Sequence, residues 1–73
     1  MTARQIIEMA LAYKRMDKAE LASKLGWSPQ LLNKRLNTGK FSVEEWQAIG
    51  AAMEAPVQIN FCFPDGQTVG LNK

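Results

Sequence analysis

Residues 18–37 read KAELASKLGWSPQLLNKRLN, and the order of caps and leucines in this stretch sets the architecture around it. Asp17, just ahead of it, is a helix cap, and Glu20 three residues later completes a D-x-x-E capping box. Met16 before the cap and Leu21 in the first turn are spaced as a hydrophobic staple. The helix ends near Gly26, which accepts the left-handed conformation of a helix terminus. A second start follows at once, with Ser28 as cap, Pro29 at the first helical position and Trp27 stapled to Leu32. Leu21, Leu25, Leu32 and Leu36 form the apolar seam between the two helices. Ala22 is small where the second helix must cross closely. Two short capped helices joined by a glycine turn predict a helix-turn-helix.

The flanks supply support for that pair. Thr2 caps a first helix from about Ala3 to Arg15, with Ile6, Ile7, Ala10 and Leu11 as its core stripe. Met9 and Tyr13 widen its apolar surface. Thr38-Gly39-Lys40 is a glycine exit from the third helix. Ser42 and Glu45 then form a further capping box, with Phe41 stapled to Trp46. This fourth helix is expected to run to about Glu54, presenting Val43, Trp46, Ile49, Gly50 and Met53 on one face, and Ala55-Pro56 stops it.

Beyond Pro56 the period changes. In Val57-Gln58-Ile59-Asn60-Phe61-Cys62-Phe63 large apolar residues alternate with smaller or polar ones, as in a half-buried strand. Pro64-Asp65-Gly66 is turn chemistry, and Gln67 to Leu71 returns as a second strand with Val69 and Leu71 on the apolar face. The expectation is a hairpin whose Val57, Ile59, Phe61 and Phe63 cover the helices. Its outer edge either stays free or pairs with a second copy, making a homodimer. The chain is thus expected to be mainly α, with residues 1–55 forming the helical domain and residues 56–73 a C-terminal β-hairpin packed on the same core.

Composition narrows the function. Seventy-three residues make one domain near the lower size limit for a stable core, and 47% apolar content is too high for disorder. One cysteine, Cys62, excludes an internal disulfide framework, and the absence of histidine excludes the usual zinc motifs and histidine triads. No run of 18 apolar residues occurs and no signal peptide is evident, so a cytoplasmic protein is expected, without membrane, cofactor or small-molecule ligand. Glu44 and Glu45 are explained by capping, and no nucleophile–base pair suggests an enzyme. The net charge of +2 is divided unevenly: residues 1–40 hold eight basic against three acidic side chains, residues 41–73 one against four. A basic helical half suits phosphates, although ordinary solvated charge is the plainer reading of such a distribution.

With Leu32 and Leu36 turned inward at about 100° per residue, Gln30, Lys34 and Asn37 point outward. Leu31 and Asn33 lie on the flanks. These side chains suit base edges: glutamine pairs with adenine, lysine donates to guanine, and leucine meets a thymine methyl. Lys18 and Lys40 are placed for phosphates, together with the free N–H groups at the start of the second helix. Arg35, at the margin of the buried face, is assigned to a phosphate or, alternatively, lies along the core with its head in water. The plain alternative for Gln30, Lys34 and Asn37 is a solvated helix face.

Residues 4–54 resemble the helix-turn-helix domain of the phage repressor and Cro class, also called the xenobiotic-response-element family. The resemblance rests on Leu21-Ala22, Leu25-Gly26, Ser28 and Leu32, and the segments SPQLLNKRLNTGKFS and FPDG further resemble small regulators of phages and mobile elements. It implies a four-helix lambda-repressor-like DNA-binding bundle that reads a double-stranded operator as a dimer. By position it implicates Pro29, Gln30, Lys34 and Asn33 in base contacts. Two positions depart from the family pattern: Pro29 stands where many relatives have glutamine, and Leu36 lies one place later than the usual apolar residue. The expected function is a transcriptional regulator, in the manner of a repressor. The alternative is a protein-interaction module, such as an antitoxin, adaptor or anti-repressor, built on the same bundle.

Overall fold

Every helix begins at a hydroxyl or carboxylate that accepts a hydrogen bond from its first turn. The computed structural model describes residues 1–70 and contains α1 (Ala3–Lys14), α2 (Lys18–Leu25), α3 (Pro29–Thr38) and α4 (Val43–Ala52), then β1 (Asn60–Cys62) and β2 (Thr68–Gly70). At α1 and α4 the capping boxes are reciprocal, Thr2 with Gln5 and Ser42 with Glu45. At α2, Asp17 Oδ1 accepts from the Glu20 N–H at 2.7 Å, and at α3 Ser28 Oγ accepts from the Leu31 N–H at 3.1 Å. These bonds satisfy donors that a helix start leaves open.

The helix ends are as regular as the starts. Gly26 takes φ +74°, and the paired bonds Trp27 N–H to Ala22 O (2.9 Å) and Gly26 N–H to Ser23 O (3.1 Å) make a Schellman closure. The same closure ends α1 and α4 on residues that are not glycine. Arg15 (φ 59°) follows α1, with Met16 N–H bonded to Leu11 O, and Glu54 (φ 57°) follows α4, with Ala55 N–H bonded to Gly50 O at 2.8 Å. Both helices therefore stop slightly short of the expected bounds. Lys14 and Glu54 join the two ends through an ion pair of 3.0 Å.

Ile7, Leu11, Met16, Leu21, Ala22, Leu32, Leu36, Ile49 and Met53 form the core, one cluster drawn from all four helices and their ends. The expected burial of Leu21, Ala22, Leu32, Leu36 and Ile49 is met, and Met16 is buried beside Leu21 in the same cluster. Leu25 is only half-buried, because it lies in the last turn of α2 at the rim. Ile6 and Val43, expected on core-facing stripes, are exposed. The apolar stripes of α1 and α4 are wider than the surface their neighbours cover.

The largest correction concerns the hairpin. Asn60, Phe61 and Cys62 pair antiparallel with Gly70, Val69 and Thr68, giving strands of three residues, shorter than the alternation suggested. Val57 and Ile59 are half-buried and line a cleft with Ile6 and Trp46. Phe61 and Phe63, expected to cover the helices, are 68% and 49% exposed, and Val69 is 58% exposed. Leu71 lies outside the described residues. The hairpin leaves the helices after Ile59 and reaches past the bundle, in a molecule 42 Å long and 23 × 20 Å across. Only Val57 and Ile59 stay on the Ile6–Trp46 cleft, and the chain beyond them turns off the bundle, so the aromatic face has no helix beneath it. Among the described residues no helix is long and apolar enough to cross a membrane.

Candidate nucleic-acid interface

Helix α3 is held from one side and left open on the other. Pro29 at its first position needs no hydrogen-bond acceptor there, Gly39 (φ +68°) closes its end, and Leu32 and Leu36 anchor it in the core. Gln30, Asn33, Lys34 and Asn37 lie on the exposed surface, with Leu31 partly uncovered beside them. The side chains of Gln30, Asn33 and Lys34 make no hydrogen bond or ion pair with any described residue. One helix face therefore offers amide donors, amide acceptors and an ammonium group to a ligand from outside. Pro29 is exposed beside them but contributes no donor.

Asn37 differs from its three neighbours on this face. Its Oδ1 accepts from Nη1 of Arg4 at 2.7 Å, a bond between residues 33 apart in the chain. Arg4 also lies 3.1 Å from Glu8, and the same Glu8 oxygen is 2.9 Å from Nζ of Lys18. Glu8 is thus the anion that gathers Arg4 and Lys18 beside α3. The Lys18 ammonium, and then Arg4, hold the Glu8 carboxyl below the ordinary glutamate range. Arg4 is exposed and Glu8 and Lys18 are partly exposed, so the pairs are screened by solvent and weak enough to be exchanged for another anion. Arg4 was not legible as part of this surface, since nothing local links the start of α1 to the end of α3.

Arg35 lies along the margin of the core, as the alternative expected, but its head is held by protein groups rather than by water. Its guanidinium lies 5.6 Å from the Trp27 ring centroid and 5.5 Å from that of Phe41. Nη2 donates to Glu45 Oε1 and, at 3.1 Å, to the Lys40 carbonyl. The Arg35 guanidinium, followed by the Ser42 backbone N–H, holds the Glu45 carboxyl below its usual range. Trp27, Arg35, Phe41 and Glu45 together fasten the α3–α4 link from outside the core. Planar stacking and a forked donor set suit arginine to this position better than lysine. Its guanidinium faces these partners rather than the open face of α3.

Lys40 is exposed, and its ammonium has no ion-pair partner among the described residues. The expected site residues thus separate into three sets. Pro29, Gln30, Leu31, Asn33, Lys34 and Lys40 are open. Asn37 is open and Lys18 partly exposed, but they are engaged by Arg4 and Glu8 respectively, and Arg35 is mostly enclosed. Comparison of the chain with protein-family models, curated proteins and solved structures found no match.

Proposed function

We infer that the protein is a sequence-specific, double-stranded DNA-binding regulator rather than an enzyme, with α2 and α3 acting as a helix-turn-helix in a lambda-repressor-like bundle. The observation that carries this reading is the open face of α3. A helix anchored by two leucines and capped at both ends presents Gln30, Asn33 and Lys34 with no partner of their own. Such side chains match the donor and acceptor pattern of base edges in a major groove, which admits one helix. Leu31 beside them suits a thymine methyl. Lys40, Lys18 and Arg4 flank the face as phosphate contacts, the last two by exchanging Glu8 for the backbone. Asn37 keeps its amide N–H donors for a base. Arg35 is left out of the phosphate set because its Nη2 is held by Glu45 and the Lys40 carbonyl and its guanidinium lies against Trp27 and Phe41.

Binding to an operator would act by excluding or recruiting polymerase, in the cytoplasm, with a homodimer reading two half-sites about 34 Å apart. The test is titration against DNA from upstream of the coding region and against a scrambled duplex, at several salt concentrations. Gln30→Ala and Lys34→Ala should each weaken operator binding by about 1–3 kcal/mol and scrambled binding much less. Lys40→Ala should weaken both alike and reduce the salt slope by about one. Equal losses on both duplexes for Gln30→Ala and Lys34→Ala would remove α3 as the reader. A second reading, a protein-interaction module, draws on the exposed Phe61, Phe63 and Val69. It would be favoured if the α3 face proved to be covered by protein.

A further inference from the structure

Two exposed apolar pieces of the surface approach each other at the cleft beside Ile6. The first is a ridge on α1. Ile6, Met9 and Tyr13 fall within about 60° of one another around the helix axis, on the side opposite Arg4, Glu8 and Leu11. All three are exposed, Tyr13 by 93%. The second is the hairpin face made by Phe61, Phe63 and, across the ladder from Phe61, Val69. The Phe61 and Phe63 rings lie 6.5 Å apart, one continuous aromatic surface. Ile59, which lines the cleft with Ile6, is two residues before Phe61 and shares its alternation.

We propose that a second copy of this chain covers both pieces, the hairpin face of each protomer lying on the α1 ridge of the other.

Two observations select that occupant, and a third selects the arrangement. Among the described residues from Val57 to Gly70 the only charged one is Asp65, so this part of the hairpin offers no cation to an anionic lipid surface or a nucleic-acid backbone. Three-residue strands in an isolated hairpin do not sustain themselves in water. The cover they require must be present whenever the chain is, as another copy is. Area then selects the arrangement. Taking roughly 150–250 Å2 per large side chain, the exposed fractions leave about 300 Å2 on the hairpin face and about 400 Å2 on the ridge. Hairpin against hairpin would bury only about 600 Å2 in all, within the range of incidental contacts, whereas the reciprocal arrangement buries about 1,400 Å2, the size of a stable interface. A two-fold axis makes the two contacts identical. The interface uses the hairpin's face, not its edge, and it lies on the side of α1 turned away from the Arg4–Asn37 contact with α3. It therefore stands whether or not α3 reads DNA.

The experiment is sedimentation velocity of the full chain from 1 to about 200 µM, chosen to span the usual affinity of an interface this size. Wild type is expected to dimerise. Phe61→Glu and Tyr13→Glu should each raise the dissociation constant at least tenfold while keeping the helical circular dichroism of the wild-type monomer, since both side chains are exposed. If either glutamate lowers helix content, the serine variant at that position replaces it. An equimolar mixture of the two variants should associate more tightly than either alone, because the mixed pair retains one intact hairpin-on-ridge contact. A wild type that remains monomeric across the range, or a dimer untouched by either variant, overturns the proposal. A mixture no tighter than its components overturns the reciprocal arrangement.

Discussion

Gly50 sits in the last turns of α4 where the chain doubles back over it, and Gly50→Ala puts two opposing effects in one residue. In an exposed helix interior the change from glycine to alanine stabilises by about 0.5–1 kcal/mol, because the unfolded chain loses freedom. Here a β-carbon would lie 2.7 Å from the Ala55 carbonyl oxygen, 2.9 Å from Cγ2 of Val57 and 3.1 Å from the Val57 nitrogen. The valine methyl can rotate away, but the other two atoms are backbone and move only if residues 55–57 move. That segment is tied to the helix by the bond from Ala55 N–H to Gly50 O, and it carries Val57 and Ile59 onto Ile6 and Trp46. Overpacking of this kind costs about 1–3 kcal/mol, which outweighs the propensity gain. The expected net loss is about 1–2 kcal/mol, or roughly 5–15 °C in Tm for a domain of this size. Thermal and urea melts at one fixed protein concentration measure it, and hydrogen exchange at the Ala55 amide should quicken in parallel. A Tm that rises, as for an open helical glycine, would refute the close approach of residues 55–57 to α4.

Ala22→Leu should destabilise by roughly 1–3 kcal/mol, since Ala22 is 1% exposed where α2 meets its neighbours; an unmoved thermal melt would contradict that packing. Arg15→Gly should stabilise by about 0.5–1 kcal/mol by relieving the left-handed conformation of a residue with a β-carbon, and a urea midpoint that falls would contradict this. The carboxyls of Glu8, Glu45 and Glu54 are all held below the ordinary value of 4.5 by Lys18, Arg35 and Lys14 respectively. Their stabilisation is complete above that value and is lost as pH falls through the lowered folded values. Glu45→Gln keeps the acceptor for the Ser42 cap but not the charge, so its melt should lie below wild type at pH 7 and converge with it in acid. Parallel curves at all pH values would show that the Arg35 pair contributes nothing.

Local chemistry was the legible part of this chain. Caps, staples and glycine exits act over three to five residues, and Asp17, Ser28, Ser42, Gly26 and Gly39 all stand where their spacing implied. The buried and open faces of α3 were legible for the same reason, since a helix with leucines at 32 and 36 has only one way to turn. The hairpin failed at the next level. Alternation shows that Phe61 and Phe63 share a face, but not whether that face turns toward the helices. Arg35 was ambiguous because its partners come from three places: the α2–α3 link, residues 40–41, and α4. Arg4 was missed because its bond to Asn37 depends on how α1 lies against α3, which no short pattern encodes.

The open face of α3 also separates folding from recognition. Gln30, Asn33 and Lys34 are exposed and make no hydrogen bond or ion pair with a described residue, so replacing them should change stability by no more than about 0.5 kcal/mol. A library randomised at these three positions, with glycine and proline left out, should therefore fold nearly throughout. Each member would carry the same core and the same Arg35 clasp beneath a different surface. New binding preferences could then be selected from such a library without repairing the scaffold each time, because folding places no bar on variation at these positions.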